Sequence, residues 1–174
     1  MNLDLREQVM RAEDENTIYL GKNLVCDGVE TFYDTGFAPF SSENANKDFM
    51  ITIRLGSFTD TINQAVVLGC KYEGTISGQQ WPGIYIRRSS TTQFEMGGYG
   101  YAKVNIKDVL NKNIYIWRKS GQWHYKVGTG SVGNLNVRVA TFNQNIVLGA
   151  GVQTDGTKFR YSNCVIDYIR IEPI

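Results

Sequence analysis

Short runs in which apolar and polar residues alternate are the feature that most limits how this chain of 174 residues can fold. Turn-forming Gly, Asn, Asp and Ser separate these runs at intervals of roughly 8 to 15 residues. A period of two is typical of β-strands, whereas an amphipathic helix would repeat every 3.6 residues. Beyond residue 16 the pattern is that of strands throughout, which predicts an antiparallel sandwich or barrel.

Five runs carry the pattern most clearly: DFMITIRL (48–55), QAVVLGCKY (64–72), GIYIRR (83–88), NIYIWRKSGQWHYKVG (113–128) and NIVLGAGV (145–152). In the first, Phe49, Ile51 and Ile53 share one face with Leu55. The fourth is predicted to be a hairpin that turns at Ser120-Gly121. The fifth is predicted to be a buried strand whose glycines let a neighbouring segment approach closely.

The chain ends two residues after another strand-like run, 165–172. Its apolar residues fall on both predicted faces, with Val165, Ile169 and Ile171 on one and Ile166 and Tyr168 on the other. Such a strand is expected to lie inside stacked sheets. A strand at the end of the chain must close a sheet, so residues far back in the sequence should pair with it.

The first 16 residues differ from the remainder. LDLREQVMRAEDE (3–15) has a helix-like composition, but its apolar stripe is too thin to hold a helix alone in water. We therefore expect an N-terminal arm at 1–16, which docks on another chain or a larger assembly or is mobile, and one domain at 17–174. The arm has acidic residues where a secretory signal would be basic and then apolar, so no signal peptide is visible.

Charge is balanced, with 18 basic and 17 acidic residues and a net charge of +1. Nucleic-acid-binding proteins normally carry a basic stripe, so a nucleic-acid partner is not expected, and the pair Arg87-Arg88 is predicted to be a solvated strand edge. No apolar run is long enough to insert into a membrane. Cys26, Cys70 and Cys164 lack CxxC spacing, which predicts buried free thiols and a reducing compartment during folding.

Three stretches, in this order, resemble the laminin G-like, concanavalin A-type lectin family: FYDTGF (32–37), IYIWRKSGQWHYKV (114–127), and NIVLGAG followed by a polar loop and CVIDYIRIE (145–172). The resemblance implies an all-β fold, a two-sheet antiparallel jelly-roll sandwich whose last strand pairs beside an early one. Here that partner is expected between Leu24 and Asp34. Small domains with a short arm resemble those of bacteriophage virions and bacterial surfaces, which implies a virion or cell-surface location, with the cytoplasm as the alternative.

The same fold also occurs in glycoside hydrolases and polysaccharide lyases. Retaining glycosidases need two carboxylates about 5 Å apart. The acidic cluster at 13–15 lies in the arm, while Asp167 and Glu172 are five apart on the last strand and are predicted to face opposite ways. The single His124 is predicted to face solvent from the hairpin, without a zinc-binding or triad partner. A non-catalytic domain is therefore expected.

Calcium is the one cofactor that the resemblance leaves open, because many family members hold Ca²⁺ at the rim of the sandwich. Candidate ligands are Asp34, Asp60 and Asp155. Each stands in a turn context, where an Asx turn is the alternative interpretation.

Aromatic residues in polar, glycine-rich surroundings are the hardest feature to explain as core. Trp81 directly precedes a proline, which predicts extended geometry. Tyr99 and Tyr101 share a strand face, as do Tyr85 and Arg87. Sugars stack on rings and need polar partners for their hydroxyls. The predicted ligand site comprises Trp81, Tyr85, Arg87, Tyr99, Tyr101 and Gln80, with Gln79 and Asn105 as further polar candidates.

The predicted function is a non-catalytic carbohydrate-binding, lectin-like or adhesion domain. Its partner would be a glycan or cell-surface polysaccharide, with a virion or surface-assembly protein as a second partner. The alternative is a structural virion decoration or fibre protein, whose aromatic rim contacts neighbouring subunits instead of sugar.

Overall fold

The computed structural model describes residues 17–60, 64–98 and 102–174. Nearly all regular structure in them is β, and the predicted all-β, two-sheet antiparallel sandwich is confirmed. Their one helix is the single turn α1 (Ile106–Val109), so no described helix is long and apolar enough to cross a membrane. The arm predicted at 1–16 lies outside the described residues.

The strands in chain order are β1 (Tyr19–Asp27), β2 (Tyr33–Asp34), β3 (Phe49–Phe58), β4 (Val66–Lys71), β5 (Thr75–Ile76), β6 (Gln79–Gln80), β7 (Gly83–Arg88), β8 (Gln93–Gly97), β9 (Ala102–Asn105), β10 (Asn113–Lys119), β11 (Gln122–Val127), β12 (Gly133–Leu135), β13 (Val147–Leu148), β14 (Gly151–Val152), β15 (Lys158–Phe159) and β16 (Asn163–Pro173). The first sheet has the order β1-β16-β3-β10-β11-β12, and the second has the order β2-β13-β4-β7-β8-β9. Two small hairpins, β5-β6 and β14-β15, complete the fold.

The first sheet follows the sequence pattern closely. Phe49, Ile51, Ile53 and Leu55 of β3 are all buried in the core, as the alternation predicts. The predicted hairpin at 113–128 is confirmed, with β10 and β11 meeting at Ser120-Gly121. The inward faces of these strands therefore form the core, as period-two spacing requires.

The last strand lies between β1 and β3, and its pairing closes the first sheet. Tyr19 stands opposite Ile171, and Asp27 stands opposite Asn163. The partner of the last strand was predicted between Leu24 and Asp34. The observed partner is β1, which begins earlier, at Tyr19, and ends at Asp27, so the prediction is correct only for 24–27. The later part of the predicted segment, β2, pairs with β13 in the second sheet instead.

A bulge in β16 overturns the predicted assignment of its faces. The register with β3 shifts on both sides of Ile166. As a result Ile166, Ile169 and Ile171 are buried together, while Val165 and Tyr168 are only partly buried. The prediction that Val165 shares a face with Ile169 and Ile171 is wrong, because one inserted residue exchanges the faces of everything beyond it.

The centre of the second sheet is formed by β4 and β7, which alternate between the core and an outer face. Ile84 and Ile86 of β7 point into the core, so Tyr85 and Arg87 lie on the outer face. The predicted strand 145–152 is split into β13 and β14 at Gly149, where φ is +81°. A side chain at Gly149 would collide with the thiol of Cys26, so this glycine permits the predicted close approach.

Arg118 is a charged residue at a core position of β10, and it fixes a long loop over the end of the sandwich. Its side chain is 2% exposed. Nε donates to the carbonyl of Lys47 at 3.0 Å, Nη1 donates to that of Pro39 at 3.1 Å, and Nη2 donates to that of Asn44. The guanidinium also lies 4.9 Å from the ring centre of Phe49. Burial lowers the pKa of Arg118, and the carbonyls replace the water that it loses.

The three cysteines are free and buried, as predicted. Cys26 on β1 stands directly opposite Cys164 on β16. A hydrogen bond with Cys164 and burial both raise the pKa of the Cys26 thiol, so this thiol is neutral in the folded protein.

Candidate ligand-binding site

Three of the predicted site residues come together on the outer face of the second sheet, joined by a lysine. The Arg87 guanidinium carbon lies 4.5 Å from the ring centre of Tyr85. Lys71, at the end of the neighbouring β4, places Nζ 4.9 Å from the same ring and 5.4 Å from the ring centre of Trp81. Cations over aromatic faces are electrostatically favourable, so these contacts hold the four side chains in one arrangement.

Trp81 is exposed as predicted, at 39%, but its backbone is not extended. Its φ is +52°, in the left-handed region, and its N–H donates to the carbonyl of Gly74 at 2.6 Å. Ser77 and Gly78, both with positive φ, form the two-residue turn between β5 and β6. The chain must then reverse sharply from β6 into β7, and this requirement overrides the preference that the following proline imposes.

Tyr85 and its basic neighbours are far less exposed than the sequence indicated. Tyr85 is 2% exposed, because Lys71 and Arg87 cover its ring. Arg87 stands opposite Glu95 of β8, and its Nε and Nη2 donate to one carboxylate oxygen at 3.1 and 3.0 Å. Arg88 is buried as well. The prediction of a solvated edge at Arg87-Arg88 is therefore wrong, since the pair alternates between two covered faces of an interior strand.

The β14-β15 hairpin supplies the second wall of this cleft. Phe159 and Arg160 line it, with the Arg160 guanidinium carbon 4.7 Å from the Phe159 ring centre. Glu73 joins the two walls, because its carboxylate lies 3.6 Å from Lys71 Nζ and 4.0 Å from Arg160 Nη1. We call the surface formed by Lys71, Glu73, Tyr85, Arg87, Glu95, Phe159 and Arg160 the cation–aromatic cleft.

The cation–aromatic cleft is positively charged and almost filled by its own side chains. Its three cations, Lys71, Arg87 and Arg160, exceed its two carboxylates, Glu73 and Glu95, by one charge. The free cavity volume is about 10 Å³, room for about one water molecule. Burial lowers the pKa of Lys71, and Glu73 partly opposes this. A ligand would therefore lie across the cleft or displace the flexible ends of Lys71 and Arg160.

The other predicted site residues lie elsewhere. Gln80 is exposed on β6, with its backbone carbonyl accepting a hydrogen bond from Arg138 at 2.9 Å, and it does not line the cleft. The side chain of Asn105 caps the single turn α1. Tyr99 and Tyr101 lie outside the described residues. Sequence reasoning missed Lys71 and Arg160. Gly69 and Lys71 are two residues apart on β4 and both line the cleft on its outer face, so the period-two spacing was a signal that could have identified Lys71.

The candidate calcium ligands are engaged in hydrogen bonds with backbone N–H groups. The Gly36 N–H donates to the Asp34 carboxylate at 2.8 Å, and the Thr157 N–H donates to that of Asp155 at 2.9 Å. The Asn163 N–H donates to the carboxylate of Asp60 at 3.1 Å. Within 17–60, 64–98 and 102–174, no three His, Cys, Asp or Glu side chains lie together in a group that could hold a metal ion. Asp34 and Asp155 form the Asx turns that were the alternative interpretation.

Asp167 and Glu172 do not face opposite ways, because the bulge of β16 separates them. Asp167 lies 3.8 Å from Arg54, and Glu172 lies 2.9 Å from Arg170, both on the outer face of the first sheet. His124 lies on the outer face of the first sheet, as predicted, and is half-buried there, with Nδ1 2.9 Å from the side-chain oxygen of Asn134.

No protein-family model matches the sequence, and no curated protein matches it. Solved structures do match the fold. A carbohydrate-binding module, CBM40, of the Ruminococcus gnavus IT-sialidase, bound to α2,3-sialyllactose, is 14% identical and has a TM-score of 0.58 over 90% of this chain and 91% of that one. Membership of the laminin G-like family stays a prediction, whereas the lectin-like sandwich fold is confirmed.

Two whole sialidases contain a similar domain. The Streptococcus pneumoniae sialidase NanB has a TM-score of 0.59 and 10% identity, over 91% of this chain and 27% of that one. A Trypanosoma rangeli sialidase mutant that displays trans-sialidase activity has a TM-score of 0.59 and 15% identity, over 95% of this chain and 26% of that one. This chain thus spans about a quarter of their length, and at these identities the likeness shows the fold.

Proposed function

We propose that this chain is a non-catalytic carbohydrate-binding domain that binds the charged residue of an acidic glycan across the cation–aromatic cleft. The observation that carries the proposal is the placement of Lys71 and Arg87 against the Tyr85 ring, with Arg160 on the opposite wall. A binding site of this type combines an aromatic surface with a few fixed polar groups. The excess positive charge selects an anionic sugar.

A sugar carboxylate fits the chemistry of these side chains. Arginine and lysine make strong charge-assisted hydrogen bonds to carboxylates, and these gain strength where water is partly excluded. Trp81, next to the cleft through Lys71, offers an exposed ring on which the C–H face of a sugar can stack. The Ruminococcus gnavus module is bound to sialyllactose, a glycan with one carboxylate, which agrees with this ligand class.

The two carboxylates of the cleft support a binding role. Glu95 is paired with Arg87, and Glu73 lies between Lys71 and Arg160. A retaining glycosidase would place one carboxylate as an acid and the other as a nucleophile on either side of the bond to be cleaved. Here both carboxylates are held by cations and orient them. As part of the same proposal, we place the domain on a virion or cell surface, where it would meet cell-surface glycans.

Replacing Trp81 with alanine is expected to weaken sialyllactose binding tenfold or more, about 1.4 kcal/mol, with little change in thermal stability. The reason is that the ring is exposed beside the cleft and contributes little to the core. Isothermal titration calorimetry measures the binding, and differential scanning fluorimetry measures the stability.

Trp117→Ala is the matched control, because Trp117 lies on the outer face of the first sheet, beside His124. It should leave the affinity unchanged. Unfolding of the Trp81→Ala protein would assign that ring to the core and remove it from the site. A stable oligomer in native mass spectrometry without any glycan affinity would favour the structural virion protein instead.

A further inference from the structure

Free volume lies beside the cation–aromatic cleft rather than within it. At the adjoining end of the sandwich a groove of about 340 Å³ is lined by Tyr72, Phe142, Asn143, Gln144, Gln153 and Thr154, among others. We call it the amide groove. Its volume lies in the range of small-ligand sites, roughly 300 to 1,000 Å³. The cleft, in contrast, has room for about one water molecule.

The amide groove adjoins the cation–aromatic cleft. Val152 lines both of them, and Tyr72 of the groove directly precedes Glu73 of the cleft. Phe142 and Asn143 extend the groove further, into a second depression of about 410 Å³ beside the loop that Arg118 fixes. A single extended molecule can therefore occupy the cleft and the groove at the same time.

The chemistry of the amide groove differs from that of the cleft. The rings of Tyr72 and Phe142, with centres 5.8 Å apart, provide an aromatic wall. Amide and hydroxyl side chains and the carboxylate of Asp155 surround it, and Asn143, Gln153 and Thr154 are exposed to solvent. An amide offers donors and acceptors together, as a sugar hydroxyl requires. Cationic side chains are absent from the described residues that line this groove.

The loop that carries Gln153 and Thr154 is held by its own hydrogen bonds. The Gln153 N–H donates to the carbonyl of Thr157 at 2.8 Å, and the Gly156 N–H donates to that of Gln153 at 3.0 Å. On the opposite side, the side-chain amide of Gln144 donates to the carbonyl of Val152 at 3.3 Å. A wall fixed in this way loses little conformational entropy when a ligand binds.

We propose that the amide groove is a second subsite, which binds neutral sugar residues linked to the acidic sugar in the cation–aromatic cleft. This inference rests on the proposed function and makes it more specific, because the ligand becomes an oligosaccharide with an acidic residue rather than an isolated acidic sugar. The cleft recognises the charge, and the groove adds affinity through hydroxyl contacts.

The test compares sialyllactose with the methyl α-glycoside of sialic acid, using wild-type protein and the double variant Asn143→Ala, Gln153→Ala. Wild-type protein is expected to bind sialyllactose about tenfold more tightly than the monosaccharide. The double variant should lose that difference and bind the monosaccharide as well as wild type does. Both side chains are exposed, so the circular dichroism spectrum should not change; Gln122→Ala on β11 is the control.

Equal wild-type affinity for the two ligands would overturn the subsite and leave the charged cleft standing. The subsite would also be overturned if the double variant lost affinity for both ligands by the same factor, or if it kept wild-type affinity for both. If wild-type protein binds neither ligand, the proposed function and the subsite fail together.

Discussion

Replacing Arg118 with methionine is expected to lower the free energy of unfolding by about 3 to 5 kcal/mol. Methionine fills much of the same volume but leaves the carbonyls of Pro39 and Lys47 without a donor, while the carbonyl of Asn44 keeps the backbone N–H of Lys47 at 3.0 Å. Each buried acceptor left unpaired costs about 1 to 3 kcal/mol. Urea-induced unfolding, followed by tryptophan fluorescence, measures the loss.

Arg54→Met is the matched control for Arg118→Met. Arg54 is on the neighbouring strand β3, is exposed, and makes a 3.8 Å ion pair with Asp167. Exposed pairs contribute about 0 to 1 kcal/mol, so this variant should be nearly as stable as wild type. Equal losses for the two variants would show that Arg118 does not hold the 38–48 loop. Arg118→Lys should fall between them, since one ammonium group cannot reach all three carbonyls.

Replacing Lys71 with methionine is expected to weaken sialyllactose binding by about 10- to 100-fold, or 1.4 to 2.7 kcal/mol. The change removes the cation between the Trp81 and Tyr85 rings and reduces the excess charge of the cleft from one to zero. Binding of an acidic sugar through Lys71 requires the charged ammonium group. As the pH rises, Lys71 loses its proton and wild-type affinity should fall. Because burial lowers the pKa of Lys71, this fall should begin at a lower pH than the ordinary lysine pKa of about 10.4 would imply.

Lys119→Met is the matched control for Lys71→Met, because it removes the same charge from an exposed position on the first sheet. It should leave both the affinity and its pH dependence unchanged. If Lys71→Met and Lys119→Met weaken binding equally, the attraction is a property of the whole protein's charge and not of the cleft. The measurement is calorimetric titration between pH 6 and the pH at which wild-type binding is lost.

The sandwich could be predicted because each core strand carries its own period-two signal. Phe49 to Leu55 and the hairpin at Ser120-Gly121 form as their local patterns dictate. The bulge near Ile166 could not be predicted, because an inserted residue leaves no mark in a run that is apolar on both faces. Likewise, Arg118 occupies a core position only because backbone carbonyls from a distant loop converge on it.

The candidate site was predictable only where its residues share a strand. Tyr85 and Arg87 are two apart, so their common face followed from the sequence. Arg160 reaches the cleft through the β14-β15 hairpin, whose position depends on the close approach of Gly69 to the backbone of Ala150. The positive φ of Trp81 arises from a tight reversal between two hairpins. Such tertiary contacts are not encoded in local spacing.

The most direct test of the proposed function is a titration of ¹⁵N-labelled protein with sialyllactose, followed by two-dimensional NMR. Binding across the cation–aromatic cleft should shift the backbone amide signals of 69–73, 84–88 and 158–161. The amide signals of 49–55 and 114–119 in the first sheet should stay in place. Lactose, which lacks the carboxylate, should produce much smaller shifts at the same concentration. Shifts confined to the first sheet, or none at millimolar sialyllactose, would contradict the proposal that this domain binds an acidic glycan at the cleft.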